Sequence, residues 1–408
     1  MRSRLLLLAI FPVTVLGIVL GTPFLFGDHP VRWESGSSLP KLVLDGAPED
    51  TPAPSPSDSG TKSGRNVSAP RPTNALQVTK PWKPGMPQWG VQIYWEEEPR
   101  KRPADFIEKQ AEKQAKYLIG LGANSVSISF PFFTASPTSD TLSAEAKTPS
   151  PERLRTVLHV FEKAGFRTTL RPVMDERALT PTDDWRGSIA PASDSAWFRS
   201  YGTFLAPYLA VAQAEQADTF VIATELNSME GKPGWEKAVT AAEKIFKGEI
   251  SYDANWDNYV SGRIAMPVNH LGVDAYFPVE VPDTASVKTL VDGWNTWLDK
   301  KSTGPLPKIT VAEAGIGAMK GAYHAPGDFY ARRAVDPDVQ ATWYTAVCQV
   351  VQERRMSGVY WWSIHFDDDP NTPPDDEHAS RLDFAGRPLT ERAVKTCFSS
   401  AYAGPGTP

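Results

Sequence analysis

From residue 88 onward, short runs of β-branched and aromatic residues alternate with longer stretches in which apolar positions recur every three or four residues. The short runs are typical of buried strands and the longer stretches of helices that bury one face. The alternation predicts strands at residues 88–94, 125–130, 167–173, 219–224, 249–252, 270–276, 308–312 and 358–363. Strands that alternate with helices form parallel α/β sheets, and eight such units predict a single (β/α)8 TIM barrel rather than a doubly wound sheet.

The first residues of the chain follow a different pattern. Arg2 and Arg4 precede an uncharged, mostly apolar run over residues 5–26, and about 20 apolar residues are enough to cross a bilayer core. Basic residues before such a run favour an orientation that leaves the rest of the chain outside. We expect residues 1–27 to be an uncleaved signal anchor, with a cleaved signal peptide as the alternative. Both predict an extracytoplasmic protein, either anchored to the membrane or secreted.

Pro, Ser, Thr, Gly and Asp are frequent in the segment that follows, for example over residues 47–56. Such a composition cannot bury enough apolar surface to offset the entropy of ordering the chain. We therefore expect a disordered spacer at residues 28–82, which would hold the barrel domain, residues 83–404, away from the membrane.

Charge and aromatic content narrow the range of partners. The formal net charge is -6, and Lys and Arg are scattered among acidic residues. Nucleic-acid-binding proteins usually carry a basic stripe, so we expect no nucleic-acid partner. The 13 tryptophans suit a protein that stacks aromatic rings on sugars, although large aromatics also fill a large core. We expect a monomer.

Only two cysteines are present, Cys348 and Cys397, and both lie in predicted C-terminal helices. In an oxidising compartment they could pair and join these helices. Two free, buried thiols are the alternative.

Two glutamates directly follow predicted strands. Glu225 comes after the fourth strand and Glu313 after the seventh, and the carboxyl ends of the strands form the active-site face of such barrels. A buried ionisable group is costly unless it is used or paired. A structural salt bridge could explain either glutamate alone, but two glutamates at corresponding strand ends favour a pair that takes part in a reaction. Two facing carboxylates are what cleavage of a glycosidic bond requires, one as acid and the other as nucleophile.

The residues around both glutamates resemble glycoside hydrolase family 113, within the retaining clan A. The similar segments are residues 222–228, 311–315, 170–172, 252–256 and 360–362. The resemblance implies that Glu225 is the acid/base and Glu313 the nucleophile in a double displacement on a β-linked polysaccharide or oligosaccharide, with endo-β-1,4-mannanase as the leading activity. Arg171 and Val173 depart from the Lys and His typical of that family, and residues 366–369 also differ from it. These are substrate-binding positions, so the departures bear on the sugar more than on the hydrolase chemistry.

Three polar residues fit supporting roles. Tyr276 ends the sixth predicted strand and could donate a hydrogen bond that keeps the Glu313 carboxylate ionised, with a core tyrosine as the alternative. Arg171 could bind a sugar hydroxyl or orient a carboxylate. Asn255 could contact a sugar hydroxyl.

Tryptophans near the strand ends are candidate sugar platforms. Trp256 follows Asn255, and Trp95 follows the first strand. Trp361 and Trp362 alternate across the eighth strand, so only one of them can face the barrel axis. We predict that Trp362 does so.

An acidic loop with two histidines offers many oxygen ligands and could hold Ca²⁺; its residues are His365, Asp367, Asp368, Asp369, Asp375, Asp376, Glu377 and His378. It lacks the glycine spacing of a calcium loop, which favours a solvated charge run. We expect no metal and no other cofactor. Two alternatives to mannan hydrolysis stay open: the same mechanism on a cell-envelope or capsule glycan, and a non-catalytic carbohydrate-binding barrel.

Overall fold

The computed structural model describes residues 76–97, 102–262, 264–300, 306–328, 331, 333–371 and 383–406. The predicted anchor, residues 1–27, and most of the predicted spacer lie outside these residues. The end of the predicted spacer is described, and there Val78 is buried and donates its backbone N–H to the carbonyl of Ala164 at 2.8 Å. Within the described ranges, no helix is long and apolar enough to cross a membrane.

Eight parallel strands form a closed barrel, as predicted. They are β1 (Gln88–Tyr94), β2 (Ser125–Thr134), β4 (Arg167–Met174), β5 (Thr219–Thr224), β6 (Glu249–Asn255), β7 (His270–Asp274), β8 (Ile309–Ala314) and β9 (Gly358–His365). Neighbouring strands pair in chain order, and β1 closes the barrel by pairing with both β2 and β9. The additional short strand β3 (Leu142–Ser143) pairs antiparallel with the end of β2. Counted around the barrel without β3, β5 is the fourth strand and β8 the seventh.

Helices surround the barrel. They are α1 (Ala104–Leu121), α2 (Pro151–Lys163), α3 (Asp194–Ala214), α4 (Gly234–Ile245), α5 (Trp256–Ser261), α6 (Val287–Leu298), α7 (Pro337–Glu353) and α8 (Pro388–Phe398). Local sequence sets several ends: the Ser150 side chain accepts from the backbone of Arg153 at the start of α2, and Gly122 at φ 89° ends α1. The helices pack their apolar faces on the outward side chains of the strands.

The inward side chains of the strands are largely polar. In β4, Leu170 packs in the hydrophobic core, whereas Arg171 contacts carboxylates of other barrel strands. Towards the amino-terminal ends of the strands, Ser127, Thr169 and Thr310 line a cavity of about 460 Å³. The charged layer that contains Arg171 lies towards the opposite ends, where the two glutamates follow their strands.

The two cysteines form a disulfide. Cys348 lies in α7 and Cys397 in α8, and their Cα atoms are 5.8 Å apart. Of the two alternatives that the sequence left open, the structure shows the paired one.

Candidate active site

Glu225 directly follows β5 and takes an uncommon backbone conformation. Its φ is 52°, in the left-handed region, which costs a non-glycine residue about 1–2 kcal/mol. Its backbone N–H donates to the carbonyl of Asp253 in β6 at 2.8 Å, and its side chain is buried. Conformations of this kind persist where the surrounding structure enforces them, and they are concentrated at functional sites.

Both carboxylate oxygens of Glu225 accept hydrogen bonds. Arg186 donates through Nη1 to Oε2 at 2.7 Å, and Asn255 donates through Nδ2 to Oε1 at 2.7 Å. Asn255 is itself fixed, because its Oδ1 caps α5 by accepting from the backbone N–H of Asp257 at 3.1 Å. The structure therefore places Asn255 against Glu225.

Glu313 lies in β8 and is buried. Arg171 pairs with its Oε1 at 2.5 Å, and the hydroxyl of Tyr276 donates to its Oε2 at 2.5 Å, a contact that the sequence predicts. Burial raises the pKa of Glu313 to about 7; Arg171 and Tyr276 oppose this rise, and the carboxylate of Glu225 adds to it. Burial also raises the pKa of Tyr276, so its hydroxyl keeps the proton that it donates.

Arg171 is fully buried and contacts three carboxylates. Its guanidinium pairs with Asp253 at 2.7 Å and with Asp274 at 2.8 Å, in addition to Glu313. Burial raises the pKa values of Asp253 and Asp274. Of the two roles that the sequence suggests for Arg171, the structure favours orienting a carboxylate, because no part of its side chain is exposed to a sugar.

A second buried arginine, Arg186, was not predicted from the sequence to lie in the site. Arg186 begins a short 3-10 turn in the long loop after β4, and it contacts both Glu225 and Glu176. Burial raises the pKa of Glu176 to about 7, and the charge of Arg186 opposes this. One signal was present in the sequence: Asp175 and Glu176 directly follow a strand, as Glu225 does. Arg186 itself carries no such signal.

The aromatic candidates differ in position. Trp362 faces the barrel interior, with its ring 6.0 Å from that of Tyr94 and 5.7 Å from the Arg171 guanidinium carbon. Trp361 faces outward and stacks on Tyr344 of α7 at 4.4 Å, so the predicted alternation holds. Trp256 is partly buried against the cluster that Trp362 forms with Tyr94 and Tyr276.

The structure does not support Trp95 as a sugar platform. Its side chain has 0% exposure, lies in the hydrophobic core and stacks on Phe366 with ring centroids 4.5 Å apart. Trp95 continues the outward alternation of Val91 and Ile93 in β1, so its ring packs on the outer side of the barrel and neither face is open to a ligand.

The structure describes the first part of the acidic loop, residues 365–371. Asp367 pairs with Arg102 at 2.6 Å, and Asp369 lies 3.5 Å from Lys113. Asp375, Asp376 and His378 lie outside the described residues. In the described part of the chain, no group of three or more His, Cys, Asp or Glu residues is arranged to hold a metal ion.

Comparison with known proteins identifies the family of the chain. The family model described as "Glycoside Hydrolase Family 113" matches residues 98–380. Curated proteins gave no significant match. A solved structure of a family 113 β-1,4-mannanase in a complex superimposes with a TM-score of 0.63 at 16% identity, and the alignment covers 77% of this chain and 99% of that one.

A second solved structure, the family 113 β-mannanase AaManA from Alicyclobacillus acidocaldarius, gives a TM-score of 0.60 at 19% identity, covering 77% of this chain and 97% of that one. At these identities the likeness shows the shared fold. The family model matches more than half of the chain. The chain therefore belongs to glycoside hydrolase family 113 and is an O-glycosyl hydrolase.

Proposed function

We propose that the enzyme is a retaining hydrolase of β-linked polysaccharides, with Glu225 as acid/base, Glu313 as nucleophile and β-1,4-mannan as substrate. The observation that carries this proposal is the pair of buried glutamates at the ends of β5 and β8, each bound to its own arginine. Burial raises the pKa of Glu313 to about 7, and a carboxyl group whose pKa is strongly perturbed by burial and by charged neighbours is a candidate reacting group.

The mechanism has two balanced steps. In the first, Glu225 transfers its proton to the glycosidic oxygen while Glu313 attacks the anomeric carbon, which breaks the bond to the leaving sugar and forms a glycosyl ester. In the second, the Glu225 carboxylate accepts a proton from water, whose oxygen attacks the anomeric carbon and releases Glu313. Two inversions at one carbon give a product with the configuration of the substrate.

The charges around Glu313 bear on its proposed role as the nucleophile. The carboxylate of Glu225 helps to raise the pKa of Glu313 to about 7, as expected for two buried carboxylates that resist being ionised together. Arg171 and Tyr276 stabilise the ionised form of Glu313, which is the form that attacks. The proposed roles require that Glu225 carries the proton and Glu313 is ionised when the substrate is bound.

The choice of mannan rests on the similar structures, which are described as β-1,4-mannanases. Trp362, next to the Arg171 layer, and the partly buried Trp256 are our proposed platforms for sugar rings. Endo action on a polymer is part of the same proposal.

A second substrate class is a cell-envelope or capsule glycan, cleaved by the same residues. The apolar segment at residues 1–27 favours it, because we propose that this segment anchors the enzyme outside the membrane of the producing cell. Recovery of the protein in the membrane fraction with its N-terminus intact would support the anchor, whereas release with a processed N-terminus would contradict it.

The test is hydrolysis by full-length protein on a panel of β-1,4-mannan and envelope polysaccharides, comparing wild type with Glu225→Gln and Glu313→Gln. We expect the wild type to release β-configured ends from mannan, and Glu225→Gln to lose about 10²–10⁴-fold in kcat, as is typical when an acid/base group is removed. Glu313→Gln should lose at least as much, because no carboxylate is left to form the glycosyl ester. Glu162→Gln is the control, since Glu162 also has a pKa raised to about 7 by burial but bonds Thr168 at the start of β4. Initial release of the inverted anomer, or full activity in either site variant, would overturn the mechanism.

A further inference from the structure

Arg186 lies between two buried glutamates, of which the mechanism above uses one. Its Nη1 donates to Oε2 of Glu225 at 2.7 Å, and its Nε lies 3.3 Å from Oε1 of Glu176. The same Glu176 oxygen accepts the backbone N–H of Arg186 at 3.2 Å, and Nε also donates to the carbonyl of Met174 at 3.0 Å. Arg186, Glu176 and Glu225 are 2%, 1% and 2% exposed. The three groups form one buried cluster.

The charges of this cluster do not balance when both glutamates are ionised. One guanidinium then faces two carboxylates, and the cluster carries a buried net negative charge, which is costly. The neighbouring charged groups are themselves acidic: Asp175 from the same loop, Asp253 from β6 and Glu313 from β8. The neighbouring arginines are already paired with these aspartates, Arg177 with Asp175 at 2.8 Å and Arg171 with Asp253 at 2.7 Å, so they do not neutralise the cluster. One proton shared between Glu176 and Glu225 restores neutrality.

The position of Arg186 also conflicts with the first catalytic step. A general acid must begin protonated, yet both oxygens of Glu225 accept from donors, and this arrangement favours the carboxylate. An arginine bound to Glu225 alone would therefore oppose acid catalysis. An arginine whose charge is shared with a second carboxylate would oppose it much less.

We propose that Glu176 is a positioning residue that acts through Arg186 on the acid/base Glu225: ionised Glu176 takes up the charge of Arg186 while Glu225 carries the proton, and Arg186 then stabilises the Glu225 carboxylate that remains after proton transfer. This inference rests on the proposed role of Glu225. The proton passes from Glu225 to the glycosidic oxygen, and Glu176 stays ionised throughout.

The charges of the cluster predict the direction in which the pH profile moves when Glu176 is replaced. In Glu176→Gln the second carboxylate is gone, and Arg186 acts on Glu225 alone. Glu225 then loses its proton at lower pH, so the basic limb of the kcat/KM profile on β-mannan moves down by about one pH unit, a tenfold change in the proton equilibrium. Glu176→Asp keeps the charge on a shorter side chain and should move the limb in the same direction by less.

The closing experiment measures these profiles for full-length wild type, Glu176→Gln, Glu176→Asp and the control Glu162→Gln on two substrates. The first is β-mannan, and the second is a 2,4-dinitrophenyl β-mannobioside, whose leaving group departs without a proton. We expect the limb to shift on mannan, the glycosylation rate on the aryl substrate to stay within about twofold of wild type, and the control to match wild type on both. A general loss of structure would lower the rate on both substrates alike.

An unshifted basic limb in Glu176→Gln, or equal losses on both substrates, would overturn the inference. If Glu176→Gln does not fold, Glu176→Asp decides alone, and an unshifted limb in that variant has the same meaning. Glu225→Ala keeps this outcome separate from failure of the proposed function. If Glu225→Ala still hydrolyses mannan, the proposed function is wrong; if it is inactive on mannan but azide accelerates its turnover of the aryl substrate, Glu225 is the acid/base and only the role of Glu176 is in question.

Discussion

The ionisation of Glu313 depends on a small number of named contacts. Burial raises its pKa, and two contacts oppose that rise: the ion pair with Arg171 and the hydrogen bond from Tyr276. Arg171 is shared with Asp253 and Asp274, so its charge is divided among three carboxylates. The Tyr276 hydroxyl therefore acts on Glu313, the proposed nucleophile, separately from Arg171, and it can be removed without removing the ion pair.

Replacement of Tyr276 by Phe should raise the pKa of Glu313 above about 7, because a donor to the ionised form is lost. Glu313 must be ionised to attack, so the acidic limb of the pH profile should move to higher pH. A hydrogen bond to a charged group contributes about 1.5–3 kcal/mol, which corresponds to a loss of about 10- to 100-fold in kcat near neutral pH. Steady-state rates on β-mannan between pH 4 and pH 9, at about half-unit steps, measure both effects.

Tyr259→Phe is the matched control. Tyr259 is also a buried tyrosine, but its hydroxyl has no hydrogen-bond partner among the described residues. Its variant should keep the wild-type profile. If both variants lose activity equally and without a pH shift, the effect of Tyr276 is on packing and not on Glu313.

At the scale of the strands, the pairing becomes irregular just where the site begins. The register shifts between Val221 and Ala223, shortly before Glu225, and between Val273 and Asp274 on the strand next to Glu313. Such irregularities bend a strand locally and redirect its side chains. Close to these irregularities, the strand ends turn ionisable groups towards one another.

Gly272 in β7 makes room for the charged layer. A Cβ at this position would overlap Oδ1 of Asp253 and lie 2.6 Å from Cβ of Ala312. Gly272→Ala should therefore displace the Asp253 carboxylate from Arg171, lower the free energy of unfolding by about 1–3 kcal/mol and reduce kcat. Denaturant unfolding and mannan hydrolysis measure the two effects.

Gly202→Ala provides the contrast, since Gly202 is exposed on α3 and a Cβ there has nothing within 4 Å. That variant should gain up to about 1 kcal/mol from helix propensity and keep full activity. Wild-type stability and activity in Gly272→Ala would show that Asp253 has another position from which it can hold Arg171.

The sequence predicted elements better than their ends. All eight barrel strands were predicted, because each is a short apolar run between helical stretches. The sixth was expected to reach residue 276 but ends at Asp274, and the fifth extends to Asn255 instead of residue 252. These ends are set by pairing across the barrel, a long-range property that no local pattern encodes.

The same distinction holds for the site. Glu225 and Glu313 were identifiable because each interrupts buried sequence at the end of a strand. Arg186 was missed because it lies 12 residues beyond β4 in a loop without periodicity, and its contact with Glu225 spans 39 positions of sequence. Trp95 was misplaced because sequence position near a strand end does not reveal which way a ring points.

At the scale of the whole molecule, the last two helices, α7 and α8, cover the strands at which the barrel closes. Phe398, at the end of α8, stacks on Trp89 of β1 with ring centroids 5.8 Å apart. In α7, Tyr344 stacks on Trp361 of β9. The strands where the barrel closes, β1 and β9, are therefore covered by the two helices that the disulfide joins.

Removing the disulfide should destabilise the fold without changing the chemistry. The bond joins residues 49 positions apart, and closing a loop of that length is worth about 4 kcal/mol in the chain-entropy model, within a usual range of about 2–4 kcal/mol. We expect the double variant Cys348→Ala, Cys397→Ala to lose about that much free energy of unfolding and to keep its kcat below the unfolding transition.

Urea unfolding followed by tryptophan fluorescence measures the loss, with reduced wild type as the companion sample. Reduction opens the bond but leaves both sulfur atoms in place, so it isolates the effect of the cross-link from that of the side chains. If reduced and oxidised wild type unfold at the same urea concentration, the aromatic contacts of α7 and α8 hold the closing strands together by themselves. If the urea midpoint falls both in reduced wild type and in the double variant, the cross-link stabilises the closure of the barrel. An unchanged kcat in the same samples would show that the carboxylates at the strand ends act independently of the cross-link.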